Sequence, residues 1–406
     1  MPGVRRRPVF LLVLACLLAL AAAAAVQAAE APLAPRLERA LAVPGAASMS
    51  TAGLAVDLRT GTVVFGQNAA TPLAPASTEK LAVTYSLLAA LGPDFRIDTE
   101  VLGDGVLDGT TWRGNLVLKG YGDPTLSSAA LGRLAARVRA AGITRVTGSV
   151  VGDESFFDSV RTAPGWKASF YGDESPPLSA LSVDRGMYRG VMASEPALAA
   201  ARLFGHALRS SGVAVAGAPR TGVTPAADVP LASVASPPLA RIVTMMDRES
   251  DNFTAELLLK ELGALDGRRG TTAAGAGAVR ELLANIDVPL VGVRIVDGSG
   301  LSLLDRFTVQ ALVAILEASW LDPDIRPTLV AALPVAGVSG TLETRMRKAP
   351  AKGNVIAKTG TTDEASALAG YVRGRYVFAV LQNGHPVSTT WARTAQDRFA
   401  TLLASQ

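Results

Sequence analysis

Residues 72–92, PLAPASTEKLAVTYSLLAALG, deliver a serine, Ser77, after a proline-broken run and a lysine, Lys80, one turn later. Serine is a poor nucleophile unless a neighbour takes its proton, and that neighbour is commonly histidine. This chain has only two histidines, His206 in ARLFGHALR and His385 in NGHPV, both in settings that suit structural or solvated roles. Residues three apart on a helix share a face, so the Lys80 amine can reach the Ser77 hydroxyl. A neutral lysine is a competent base, and burial or a neighbouring cation lowers its pKa enough to supply one. Lys80 is therefore the expected base, and Lys358 of Lys358-Thr359-Gly360 the expected cation. Ser250, in Ser250-Asp251-Asn252, can bridge the two lysines and return the proton to a leaving amine. A helix N-terminus also favours negative charge at Ser77, whose backbone N–H can stabilise an oxyanion.

Each motif alone has an ordinary use. Ser77 could simply cap a helix with Lys80 solvated beside it, and Lys358-Thr359-Gly360 could end an exposed strand. By residue frequency, S-x-x-K and S-x-N each arise roughly once in such a chain, and K-T-G about one time in ten. Their order and setting carry the signal. Two isolated histidines and a single cysteine, Cys16, argue against a zinc site, and no cofactor is expected. The glycines of GYGDPTL and DGSGLS lack the P-loop spacing and read as turns.

These residues need a scaffold, and 406 residues suffice for two or three domains. Residues 1–28 read as a secretory signal peptide: Arg5, Arg6 and Arg7, an apolar run, then small residues before a cut. The alternative is a retained membrane anchor. Leu14 is too bulky for a lipidation signal at Cys16. Cleavage removes three of 39 basic residues, leaving 36 against 35 acidic ones, a net charge of +1. The mature chain thus gives no reason to expect nucleic acid as a partner, and it has no cysteine, so its stability comes from its core.

After a short helix in PRLERALAVPG, GLAVDLRTGTVVFGQN reads as two strands joined at Arg59-Thr60-Gly61. Pro72 and Pro75 hold back the next helix, which starts at Ser77 and runs to Gly92-Pro93. Short strands, a helix near 135 and another at about 196–211 follow, and residues 222–238 read as a proline-rich return linker. Residues 241–265 read as helix on both sides of Ser250, and three antiparallel strands precede a last helix with Trp391, Ala395, Phe399 and Leu402 on one face. Core packing is the expected use of that helix, with a membrane foot as the alternative. The predicted organisation is one domain from residues 29–95 plus 236–406, interrupted by 96–235, an α/β (α+β) arrangement of antiparallel sheet flanked by helices with a mainly β insertion.

S-x-x-K, S-x-N and K-T-G in this order resemble the penicillin-binding proteins and serine β-lactamases. LVLKGYGDPTL (116–126), VTGSVVGDESFFD (146–158), PGWKASFYGDESPPLSALSVDRG (164–186), VDGSGLS (296–302) and LPVAGVSGTLETRM (333–346) narrow the likeness. With them the chain resembles the D-alanyl-D-alanine carboxypeptidase/endopeptidase family of low-molecular-mass penicillin-binding proteins. The resemblance implies a β-lactamase/transpeptidase-like catalytic domain. It also implies a penicillin-sensitive DD-peptidase of the cell-wall space that acts on peptidoglycan stem peptides and is trapped by β-lactams. It makes Ser77 the acylated nucleophile, Lys80 its base and Ser250 a proton shuttle. Asn252 would hold the substrate amide, Lys358, Thr359 and Gly360 the terminal carboxylate region, and the N–H groups of Ser77 and Thr361 the oxyanion. Two positions depart from the pattern: Asp251 and Arg185 each stand where asparagine is common. The inserted segment is also shorter than in larger members. The alternatives are a serine β-lactamase, disfavoured because no E-x-x-L-N loop is present, and a β-lactam or cell-wall binding module that does not turn over.

Overall fold

The computed structural model describes residues 33–43, 49–224 and 228–406; the expected leader lies outside the described residues. The first helix, α1 (Ala34–Leu41), leads into β1 (Ser50–Asp57) and β2 (Thr62–Gln67). The last three strands, β8 (Val355–Thr361), β9 (Ala365–Val372) and β10 (Tyr376–Asn383), complete a five-stranded antiparallel sheet in the order β8-β9-β10-β1-β2. The two ends of the chain meet where β1 pairs with β10, from Ser50 opposite Asn383 to Asp57 opposite Tyr376. Side chains alternate between the faces of a strand, so the near-continuous apolar runs of β9 and β10 mean that both faces are covered. One face, with Leu54, Ala369, Tyr371 and Ala379, packs on the main helical layer. The other, with Leu368, Phe378 and Val380, packs on α1 and the last helix, α10 (Thr389–Ala404).

That last helix packs into the core, with Phe399 edge-on to Phe65 at 5.3 Å between ring centres. Ala395 and Phe399 lie on its buried face as expected, but the ends of that face are Ala392 and Leu403, whereas Trp391 is 41% exposed.

At the centre of the helical layer runs α2 (Lys80–Leu91), buried at every position from Lys80 to Leu88. A helix enclosed on all sides has no polar face to offer water, so it is mostly apolar and its few polar side chains, Lys80 and Thr84 among them, bond inside the protein. Around it lie α5 (Leu239–Glu249), α6 (Asn252–Gly263), α7 (Thr272–Ala284), α8 (Val309–Leu321) and α9 (Arg326–Ala332).

Residues 98–235 build a second, seven-stranded sheet. Its centre is the hairpin of β3 (Asp98–Asp108) and β4 (Thr111–Gly120), turned at Gly109, whose φ of 59° suits glycine. β5 (Val150–Asp153) and β6 (Arg220–Thr221) add in parallel on one side. Two helices, α3 (Ser128–Ala140) and α4 (Pro196–Ser210), cover a face of this sheet with Leu131, Leu134, Phe204 and Leu208. The stretch expected to be a linker instead contains β7 (Val229–Ala235), antiparallel to β3 and pairing Ala235 with Asp98. It is an edge strand, where Pro230 can lack an N–H at a register shift without breaking the ladder. Residues 225–227 of that stretch lie outside the described residues. No helix among the described residues is long and apolar enough to cross a membrane.

Candidate active site

The three motifs converge between the five-stranded sheet and the helical layer. Ser77 lies in a 3-10 turn, Ala76–Glu79, that runs directly into α2 at Lys80, so the α-helix proper starts three residues later than the prolines suggested. The Ser77 hydroxyl caps neither element. Ala76 just before it adopts a left-handed backbone (φ 46°). Thr78 turns its hydroxyl back to donate to the Pro75 carbonyl at 2.7 Å. Two glycines press on this turn. A side chain on Gly300 would strike the Ala76 carbonyl at 2.0 Å, and one on Gly360 would lie 3.0 Å from the Ser77 nitrogen. The glycine of Lys358-Thr359-Gly360 is thus needed to bring the β8 strand against the serine.

Lys80 is completely buried, which removes the solvated alternative. Its Nζ lies 3.0 Å from Ser77 Oγ and donates to Asn252 Oδ1 at 2.8 Å and to the Ser299 carbonyl at 2.7 Å. Burial lowers its pKa below the usual lysine range, against the pull of Asp297, Glu256, Asp247 and Asp251.

Ser250 occupies the left-handed break (φ 59°) between α5 and α6, and Asp251 caps α6 by accepting from the Thr254 N–H at 2.7 Å. The buried Lys358 Nζ donates to Ser250 Oγ at 2.8 Å and to the Thr359 carbonyl at 3.0 Å. Burial and the nearby Lys80 push Lys358 down to about 7, with Asp247 opposing. The expected bridge by Ser250 between the two lysines is only half made: Ser250 meets Lys358, while Asn252 is the residue bonded to Lys80. The Asn252 Nδ2 donates at 3.2 Å to both the backbone carbonyl and the carboxylate of Glu174.

A pocket of about 390 Å³ opens over this arrangement, lined by Ser77, Ser250, Asn252, Thr359, Thr361 and Arg393 among others. Lys80, Lys358 and Gly360 stand behind its wall. Ser250, which Lys358 holds at 2.8 Å, does line the pocket. His206 and His385 are exposed and do not line it.

Four participants escaped the sequence reading. Asp247 sits behind both lysines, accepting from Thr84 Oγ1 at 2.7 Å; burial raises it to about 6. Ser299, in the loop read as a plain turn, supplies the carbonyl that holds Lys80. Glu174 comes from the 164–175 segment, whose Trp166 indole donates to Asp297 Oδ2 at 2.7 Å. Arg393 is on α10. The two departures noted above meet: Arg185 Nη2 lies 2.7 Å from Asp251 Oδ2, with its guanidinium 5.1 Å from the Phe253 ring centre. This ion pair ties the 96–235 segment to the cap of α6 immediately after Ser250.

Among the described residues, Glu79, Asp297 and Asp305 bring carboxylate oxygens within 4.8 Å of one another. Burial raises Glu79 well above the carboxylate range and, with Asp297 beside it, Asp305 to about 10. The cluster is therefore suited to holding protons between acids.

The sequence matches the D-Ala-D-Ala carboxypeptidase 3 (S13) family over residues 33–194 and 189–406. The chain belongs to that family and is a serine-type D-Ala-D-Ala carboxypeptidase, a hydrolase. It is 32% identical to the D-alanyl-D-alanine carboxypeptidase of Actinomadura sp. (strain R39), over 86% of this chain and 80% of that protein. It is 33% identical to carboxypeptidase DacB of Mycolicibacterium smegmatis, over 92% of this chain and 84% of the other. In fold it resembles the crystal structure of penicillin binding protein 4 (dacB) from Haemophilus influenzae, with a TM-score of 0.78, 22% identity, and coverage of 89% of this chain and 97% of that one.

Proposed function

We propose that this chain is a penicillin-sensitive DD-peptidase of the cell-wall space that works through a Ser77 acyl-enzyme on stem peptides ending in D-Ala-D-Ala. Ser77 Oγ attacks the penultimate D-alanine carbonyl, and its proton passes to the neutral Lys80 Nζ. The backbone N–H groups of Ser77 and Thr361 face the oxyanion, and Asn252 orients the substrate amide once Glu174 yields it. The C–N bond then breaks, and the proton taken by Lys80 passes by way of Ser250 Oγ, which Lys358 holds, to the leaving amine, so that Lys80 is neutral again. Water attacks the ester, releasing the shortened peptide and restoring Ser77. A β-lactam presents the same carbonyl in its ring and leaves the serine acylated. Residues 29–95 plus 236–406 form the catalytic domain, 96–235 an insertion, and 1–28 an export signal.

The observation that carries this reading is the contact of Ser77 Oγ with a fully buried Lys80 amine at 3.0 Å. Intact-mass measurement after brief exposure to benzylpenicillin tests it. One penicilloyl mass should appear on the wild type and be absent from Ser77→Ala, with D-alanine released from a D-Ala-D-Ala peptide by the wild type alone. Penicillin consumed without an adduct would identify a β-lactamase. A stable adduct with no peptide turnover would identify a binding module.

A further inference from the structure

A neutral amine has two N–H bonds and one lone pair, so a lysine that is to take a proton must be turned as well as placed. Around Lys80 Nζ stand two oxygens that can only accept, Asn252 Oδ1 at 2.8 Å and the Ser299 carbonyl at 2.7 Å. When they take the two N–H bonds, the lone pair is left for the Ser77 hydroxyl at 3.0 Å. The Ser299 carbonyl therefore helps to set the direction of the base, and the loop that carries it belongs to no strand or helix.

That loop is held by carboxylates instead. Asp297, fully buried, accepts from four donors. The Gly300 N–H meets Oδ1 at 2.7 Å. The Ser302 N–H at 2.8 Å, the Ser299 hydroxyl at 3.1 Å and the Trp166 indole at 2.7 Å meet Oδ2. From α6, the buried Glu256 Oε1 accepts from the N–H groups of Gly298 at 3.0 Å and Ser299 at 2.8 Å. The N–H of Leu301 goes to Ser299 Oγ at 3.3 Å. Every N–H from Gly298 to Ser302 thus ends on one of two carboxylates, or on a hydroxyl bonded to one of them. The same loop reaches the nucleophile's turn, where Gly300 (φ 78°) packs against the Ala76 carbonyl.

We propose that Asp297 and Glu256 are positioning residues for the base: through the loop from Gly298 to Ser302 they fix the Ser299 carbonyl, and with it the direction of the Lys80 lone pair toward Ser77. This rests on the acyl-enzyme reading above and adds to it two side chains that line no part of the pocket. A buried carboxylate that collects several N–H groups holds a loop more firmly than neutral partners do, because charge-assisted bonds are the stronger ones. Such a device acts on the chemical step. It leaves the first encounter with a ligand alone, since a base turned away from its proton costs rate and not contact.

The test follows acylation by benzylpenicillin in stopped flow, separating the dissociation constant of the first complex from the maximal acylation rate. Wild type, Asp297→Asn, Glu256→Leu and Glu256→Gln are compared, with melting curves reporting the folded fraction. Asp297→Asn puts a donor where four donors converge, and should cut the maximal rate about 10- to 100-fold while the first dissociation constant stays within about threefold. Charge alone would act the other way: Asp297 favours the proton on Lys80, so losing its charge would speed acylation on the acid side. Slower acylation there is the mark of lost position. Glu256→Leu should slow the same step about tenfold, and Glu256→Gln, which keeps Oε1 as an acceptor, should restore most of that loss. Burial, with the charge of Asp297, raises Glu256 to about 8, so a neutral side chain is what the loop already meets at neutral pH. An unchanged or faster maximal rate in folded Asp297→Asn, or a Glu256→Gln as slow as Glu256→Leu, would overturn the assignment and leave Ser77 acylation intact. Failure of both Asp297→Asn and Glu256→Leu to fold would also overturn it, by making the two carboxylates parts of the core. Wild-type protein that gains no penicilloyl mass would overturn the acyl-enzyme reading and this assignment with it.

Discussion

Among the described residues, three lysine side chains are completely buried, and they are treated in two ways. Lys260, on α6, meets Asp158 Oδ1 at 2.5 Å and the Val160 carbonyl at 2.9 Å, so its charge is neutralised where it stands. Lys80 and Lys358 receive only hydroxyl, amide and carbonyl oxygens as direct partners. Their nearest carboxylates, Asp247 among them, act through space without touching them. A buried cation without a counter-ion is disfavoured, and the group responds by giving up its proton more readily. Burial alone therefore does not mark a catalytic lysine. The partner decides: a carboxylate makes a buried lysine a structural strut, and neutral oxygens leave its proton easier to lose.

The largest expected effect follows from removing Lys80, the base of the proposed mechanism. Lys80→Met keeps the volume and should slow acylation by benzylpenicillin about 10²- to 10⁴-fold, followed by intact mass over time. The melting temperature should hold or rise, because a buried group that resists being charged has been replaced by an apolar one. Acylation at the wild-type rate would place the base elsewhere and dissolve the contrast. Lys260→Met should do the reverse. It leaves Asp158 without its partner, at a cost of about 1–3 kcal/mol in denaturant-measured stability, below the usual loss for a fully buried pair. The reduction reflects the 24% of the Asp158 side chain still in water. Acylation per folded molecule should stay within about threefold of wild type, and a folded variant unable to acylate would show that Lys260 belongs with the other two.

The local parts of this arrangement were legible in the sequence. Ser77 and Lys80 are three residues apart, and the geometry of a turn brings them together whatever the surrounding fold. β1, β2 and the three C-terminal strands were readable from apolar runs bounded by turns. What could not be read depends on distant pairings. β7 looks like a linker because its proline and alanines carry no alternation, and only the exposed edge of β3 makes it a strand. Arg185 and Asp251 each looked like an isolated oddity, and their ion pair exists only because the turn Asp184–Gly186 lies against the start of α6. Spacing also shows which residues share a face but not on which side of a wall an amine ends, and Lys358 ends fully buried behind the pocket. Arg393 had no motif to announce it, and α10 brings it to the pocket from 32 residues beyond Thr361.

A last test sharpens the same rule on the acidic side, one residue along from Lys260. Glu261 is 7% exposed, its Oε2 has no hydrogen-bond partner among the described residues, and burial alone raises its carboxyl to about 8. Where Lys260 has Asp158, Glu261 has no ion-pair partner among the described residues. A carboxyl held above its unfolded value near 4.5 keeps a proton in the folded state that the unfolded chain releases. Its contribution is therefore present below about pH 4.5 and is lost as pH rises toward 8. Glu261→Gln fixes the neutral form. At pH 5 the variant should melt close to wild type, and by pH 8.5 it should be more stable, by an amount on the order of 3 kcal/mol. A difference that does not change between those pH values would mean that Glu261 finds a partner when it ionises. In that case the absence of a neighbouring counter-charge would no longer distinguish a strained buried group from a satisfied one, on α6 or at Lys80.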